Sequence, residues 1–154
     1  MIRVWPRIHD ITTDPVDSPQ FVSLLPRRGP SASPPGYDGP EAARQQREAY
    51  PDIQPLVLAV SQAQAFDAAV AAARGMGWEV VASDPTAGRI EAIATTLLLR
   101  FRDDVVIRVR AAGTGSRIDI RSKSRVGVGD LGTNARRIRR FLSALRRTRR
   151  SMHA

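Results

Sequence analysis

The chain has 154 residues, 42% of them hydrophobic, which suits one domain with its own core and some tail. It contains no cysteine, so disulfides, thiolate metal sites and cysteine nucleophiles are excluded. The net charge of +9 is unevenly placed: eight arginines and no acid follow Asp130, while residues 1–130 hold sixteen cations and fifteen acids.

Residues 1–55 read as a Pro-rich extended arm. Eight prolines fall in the first forty residues. Each removes a backbone donor and fixes φ, so no long helix or central strand fits there. Ile8, Ile11, Phe21, Val22, Leu24 and Leu25 are nevertheless apolar, so the arm is expected to lie on the domain. A short helix is expected over 41–49, just after Pro40.

A single domain is expected over 56–150, with 151–154 as a tail. LVLAV (56–60) reads as a strand. Ser61 can cap a helix over 62–74, in which Phe66, Ala69, Val70 and Ala73 recur at helical spacing. Gly75 and Gly77 end it. Residues 78–84 and 89–96 read as antiparallel strands around a turn at 85–88. Leu97, Leu98 and Leu99 are either an exposed apolar tip or part of the next strand.

The following hairpin can be registered by its pattern. With Val109 opposite Ile118, Ile107 meets Ile120 on one side, while Arg108 meets Asp119 and Asp104 meets Lys123 on the other. Apolar pairs then lie inside and opposite charges outside. The last helix is expected over 131–149, with Ile138, Phe141, Leu142 and Leu145 as its apolar stripe and Asp130 at its N-terminus. The order β-α-β-β-β-β-α implies an α+β fold: an antiparallel sheet of four to five strands with two helices packed on one face.

The register has a chemical consequence. The inward face continues to Asp103, and its partners continue to Ser122 and Ser124. A buried carboxylate needs a charged partner or several donors. Arg121 and Arg125 are close in sequence, and Asn134 and Arg137 enter from the last helix. One reading is a pocket for a small anion or metabolite, an enzyme's site included, walled by the glycine-rich loop 127–132 with Asp130. The other is a structural network in which the glycines only permit a tight turn. The glycine spacing is not that of a phosphate-binding loop.

A second candidate surface is the last helix itself. Arg136, Arg139, Arg140, Arg146, Arg147, Arg149 and Arg150 lie off the apolar stripe. They form either a solvated face or a contact for anionic lipid, an acidic partner or nucleic acid. No aromatic residues interleave and no reader motif is present, which ranks nucleic acid last. His9 with Asp10, Asp14 and Asp17 lacks metal-ligand spacing, so no metal or cofactor is expected. No nucleophile-elbow sequence surrounds Ser122 or Ser124. Trp78 reads as core.

The runs FRDDVVIRVR and IRSKSRVGVGDLGTNARRIRRFL resemble the signature of the domain-of-unknown-function family 1499, found in bacteria and plant plastids. Its pattern falls here on Phe101, Asp103, Asp104, Arg121, Ser122, Ser124, Arg125, Gly127, Asp130, Leu131, Gly132, Asn134, Arg137 and Ile138. IHDITTD (8–14) is similar to the entry of this domain in longer relatives, so the resemblance covers nearly the whole chain. It implies no reaction. It also implies a membrane setting, since bacterial members resemble membrane proteins with hydrophobic helices ahead of this domain. This sequence has no apolar run of about twenty residues and no secretory signal. It is therefore read either as a stand-alone version or as one whose start lies upstream. The scarcity of lysine (Lys123 alone) points to a GC-rich bacterial genome. The expectation is a non-enzymatic binding module, associated with a membrane surface or acidic partner through its Arg-rich helix. It would be cytoplasmic and peripheral at the inner membrane, with the periplasm as the alternative.

Overall fold

The computed structural model describes residues 5–127 and 129–152; Val128, within the glycine-rich loop, and His153 lie outside the described residues. A strand β1 (Asp10–Thr12) lies inside the arm, and a single 3-10 turn spans Leu25–Arg27. Helix α1 (Pro40–Ala49) starts on a proline, whose missing N–H is not needed in a first turn. After β2 (Leu56–Leu58) comes α2 (Gln62–Gly75). Its capping box is complete: Ser61 Oγ accepts from the Gln64 N–H and Gln64 Oε1 from the Ser61 N–H, both at 3.1 Å. Strands β3 (Glu79–Asp84), β4 (Arg89–Thr95), β5 (Arg102–Ala112) and β6 (Gly115–Ser124) form an antiparallel meander, and α3 (Thr133–Met152) follows.

The fold is α+β, with strand order β1-β6-β5-β4-β3 and β2 also paired to β6. The sheet therefore has six strands, not four or five. The additional one is β1, a three-residue pairing of Asp10, Ile11 and Thr12 with Lys123, Ser122 and Arg121 that is too short and polar to stand out from its proline-rich surroundings. The β5–β6 register is the one the pattern predicts, with Val109 opposite Ile118 and Asp104 opposite Lys123. α3 begins later than 131 because Leu131 (φ 53°) and Gly132 (φ 80°) adopt left-handed backbone. The Asp130 carboxylate then accepts from the Gly132 and Asn134 N–H groups at 2.8 and 2.9 Å, satisfying donors that a helix start leaves open.

Both faces of the sheet are covered. On one, Ile90, Val105, Ile107, Val109, Ile118 and Ile120 are fully buried in the same core as Phe66 and Ala69 of α2 and Ile138, Phe141 and Leu145 of α3. Trp78 joins this core, stacked on Phe141 with ring centroids 5.6 Å apart. Ile8, Ile11, Tyr50 and Ile53 belong to it too, so the packing has no break at residue 56. Gly88 allows one close approach: at φ 68° it lies against β5 so tightly that a Cβ would stand 2.2 Å from the Val109 carbonyl oxygen.

The opposite face corrects an expectation. The charges placed outside by the pairing pattern do not meet water, because residues 13–39 lie over them. Asp104, Asp119, Arg121 and Lys123 are at most 1% exposed. Alternation reports which face a side chain points to, and the polar face of an antiparallel sheet meets solvent only if nothing covers it. Phe21 and Leu24 of the arm bury Ile93 and Val106 in a second, small core. Beside them the buried Glu91 carboxylate accepts from three successive arm amides, Val22, Ser23 and Leu24, at 2.7, 2.8 and 3.2 Å.

Three amides held by one buried charge make Glu91 the arm's main fastening on β4. Glu91→Gln should lower the unfolding free energy in urea by about 2 kcal/mol, the worth of charge-assisted hydrogen bonds that a neutral amide cannot replace. Limited proteolysis should then cut within 13–39 before the sheet opens. Unchanged stability and protection would show that the apolar contacts of Phe21 and Leu24 hold the arm unaided.

Candidate functional site

β6 decides how the polar residues are shared out, because its side chains alternate between the faces. Ser122 and Ser124 point to the helix-covered face. There Asn134 is the hub. It accepts at Oδ1 from Ser122 Oγ (2.6 Å) and Arg137 Nη1 (2.9 Å), and donates from Nδ2 to Ser124 Oγ (2.9 Å) and Asp130 Oδ2 (2.7 Å). Asp103 is paired to Arg137 at 2.8 Å. Burial pushes the Asp103 carboxyl up from its ordinary range, and the Arg137 guanidinium and Ser124 hydroxyl offset only part of that.

Arg121, Lys123 and Arg125 point to the arm-covered face. Arg121 grips Asp10 of β1 as a fork, Nε to Oδ1 at 2.9 Å and Nη2 to Oδ2 at 3.0 Å. It also donates to the carbonyls of Pro19 and Pro35, and its guanidinium lies 4.6 Å over the Phe21 ring. Lys123 Nζ donates to the Gly36 carbonyl and to Asp38, both at 2.7 Å, with Asp10 3.5 Å away. The other Asp38 oxygen lies 3.2 Å from His9 Nε2. Arg125 forks onto Asp104 at 3.0 and 2.8 Å, and Arg28 of the arm pairs with the same carboxylate. Tyr37 lies among them, its phenol pushed up to about 12 by burial and by Asp10 and Asp38.

The eight residues expected around one pocket thus form two groups separated by the sheet. Asp103, Ser122, Ser124, Asp130, Asn134 and Arg137 come together. Arg121 and Arg125 stand on the other side, where nearness in sequence means the opposite face. Each of the eight is engaged by protein partners. The sequence reading missed Arg28, Asp38 and Glu91, and weighed His9 and Asp10 only as metal-ligand candidates, not as the partners of Asp38 and Arg121. One signal was available: Arg121, Lys123 and Arg125 at alternate positions put three cations on one face of a strand, which demands acids from elsewhere if that face is covered. Asp10 and Asp14, weighed as metal-ligand candidates, go to Arg121 and Arg117 instead. Among the described residues no group of three or more His, Asp or Glu could hold a metal ion.

The arginines of α3 divide as well. Arg137 turns inward to Asp103. Arg139 forks onto Asp52, both bonds 2.7 Å, and lies over the Tyr50 ring. Arg136 lies over Trp5 and donates to the Leu131 carbonyl. Arg140, Arg146, Arg147, Arg149 and Arg150 are exposed. Arg140 and Arg147 overhang a groove of about 610 Å³ between α3 and the end of α2, lined also by Ala72, Gly75, Ser143 and Ala144.

The model of the family described as "Protein of unknown function (DUF1499)" matches residues 10–145. No curated protein matches the chain. Among solved structures it is similar to TTHA0849 from Thermus thermophilus, with 10% identity and a TM-score of 0.39 over 65% of this chain and 97% of that one. It is also similar to Ara h 8.0201, with 13% identity and a TM-score of 0.36 over 64% and 95% of the two chains.

Two substitutions probe the networks. Asp104→Asn leaves Arg28 and Arg125 converging without a counter-charge and should cost about 3–5 kcal/mol in urea unfolding; a smaller loss would mean water reaches the pair. For Asp103 the folded pKa lies above the unfolded one. Its contribution to stability is therefore present in acid and disappears as pH rises through the folded value. The penalty of Asp103→Asn should accordingly shrink as pH rises from acid through the raised folded value. A penalty that grows over this range would show that the Arg137 pairing outweighs burial.

Proposed function

The chain belongs to the DUF1499 family, a membership that assigns it no reaction, and from its surface we propose that it is a docking module for an acidic protein segment. The contact is the exposed arginine face of α3 with the groove beside it. The observation that carries this reading is the contrast between inside and outside. The buried cations of the sheet are paired with carboxylates, whereas Arg140, Arg146, Arg147, Arg149 and Arg150 stand exposed on a helix that contains no acid.

The chemistry of the groove favours a peptide over the other polyanions. α3 buries its whole apolar stripe in the core, so it has no apolar face with which to enter a bilayer. The cations of β6 are neutralised internally, so the positive surface does not spread across the sheet as a nucleic-acid footprint would. Ala72, Gly75, Met76 and Ala144 offer apolar surface in the groove against which an extended backbone can lie. Arg140, Arg147 and the Ser143 hydroxyl offer donors to carboxylates along its rim.

A labelled oligoglutamate peptide should bind, and its affinity should fall at least tenfold between about 50 and 300 mM salt, as screened charge pairs require. Arg140→Glu combined with Arg147→Glu should abolish binding while leaving the melting temperature unchanged. Peptide binding that survives this double reversal overturns the assignment. Loss of binding to anionic vesicles, in place of the peptide, would make a lipid surface the partner of α3.

A further inference from the structure

A second surface lies where β4 passes into β5. The β4–β5 connection carries Leu97, Leu98 and Leu99 at 95%, 95% and 71% exposure, followed by Phe101 at 48%. The neighbouring loop after β6 adds Val126 and Leu131, 44% and 68% exposed. The two loops are adjacent because Asp103 pairs with Ser124 at that end of the sheet and the Arg125 N–H donates to the Arg102 carbonyl at 3.2 Å. One tip of the domain therefore concentrates large apolar side chains in water, where a soluble surface usually scatters them.

The tip is held in shape at its base. The Thr96 N–H donates to the Phe101 carbonyl at 2.9 Å, and the Phe101 N–H to Thr96 Oγ1 at 2.8 Å. Cations adjoin it: Arg100 and Arg102 flank Phe101 in sequence, and the Arg7 backbone runs beside Gly129 of the second loop, all three residues exposed. The acids nearby are occupied. Asp103 and Asp104 are buried in ion pairs, Asp130 caps α3, and Glu79 is paired with Arg27.

We propose that this leucine tip inserts into an anionic lipid surface, with Leu97, Leu98, Leu99 and Phe101 in the acyl boundary and Arg7, Arg100 and Arg102 among the headgroups. Apolar side chains inside a collar of arginines match the two layers of a bilayer interface. A second copy of the chain is the poorer partner, because tip-to-tip contact would bring two arginine collars together. The tip is independent of the α3 groove. None of the residues that line the groove belongs to the tip.

The test is flotation with vesicles of phosphatidylcholine, alone or with about 30% phosphatidylglycerol to supply a negative surface. The wild type should float only with the anionic vesicles. Leu97→Ser, Leu98→Ser and Leu99→Ser together should weaken binding at least tenfold with no change in circular dichroism or melting temperature. Arg140→Glu with Arg147→Glu should leave it intact, which separates failure of the tip from failure of the groove. Leu98→Trp should gain fluorescence quenching by acyl-brominated lipid over the wild-type background. Undiminished flotation of the triple serine variant, loss of flotation in the α3 variant, or absence of quenching overturns the proposal. So does a wild type that sediments as a dimer, fails to float and becomes monomeric on triple serine substitution.

Discussion

Three cations on one face of β6 and just past its end, Arg121, Lys123 and Arg125, are buried, and the molecule is arranged around neutralising them. A charge without a partner in this setting costs several kcal/mol, so the opposing carboxylates are a condition of folding. Of these carboxylates only Asp104 comes from the meander itself. Asp10 and Asp38 arrive on the arm, with Arg28 joining the Asp104 cluster and Thr13 donating to Asp119 at 2.6 Å. The arm is therefore the electrostatic complement of the sheet, and its prolines fit that role by keeping the chain extended across a surface and free of competing structure.

Local pattern reported what depends on local pattern. The Ser61 cap of α2, the stripe of α3 and the β5–β6 register follow from side chains near one another in sequence. The partners of the buried charges do not, because Asp10 and Arg121 are separated by 111 positions. Nothing about an isolated Asp10 or Asp38 reveals that it faces a strand near the other end of the chain. The same limit explains why polar positions on the hairpin read as solvent-facing. Alternation fixes a face, while the cover on that face is a tertiary fact. Arg121 and Arg125 were grouped with Ser122 and Ser124 by proximity, although one residue along a strand is the greatest separation a sheet offers.

The glycine-rich loop after β6 illustrates how a motif can be structural and still shape a surface. Leu131 in a left-handed conformation is turned outward, and Asp130 uses its carboxylate to start α3. The loop thereby anchors the helix and also presents an apolar side chain beside the leucine tip. The arginine face of α3 and the leucine tip are both exposed.

The pairing of β1 with β6 also bears on biosynthesis. The arm leaves the ribosome before β6, carrying acids whose partners are made more than eighty residues later. Until β6 has emerged, Asp10 and Asp38 have no strand cations to meet, and β1 has no edge to join. At about 5–20 residues per second, translation of the intervening chain takes several seconds. The final docking of the arm is thus a late event with high contact order, completed after the meander exists to receive it.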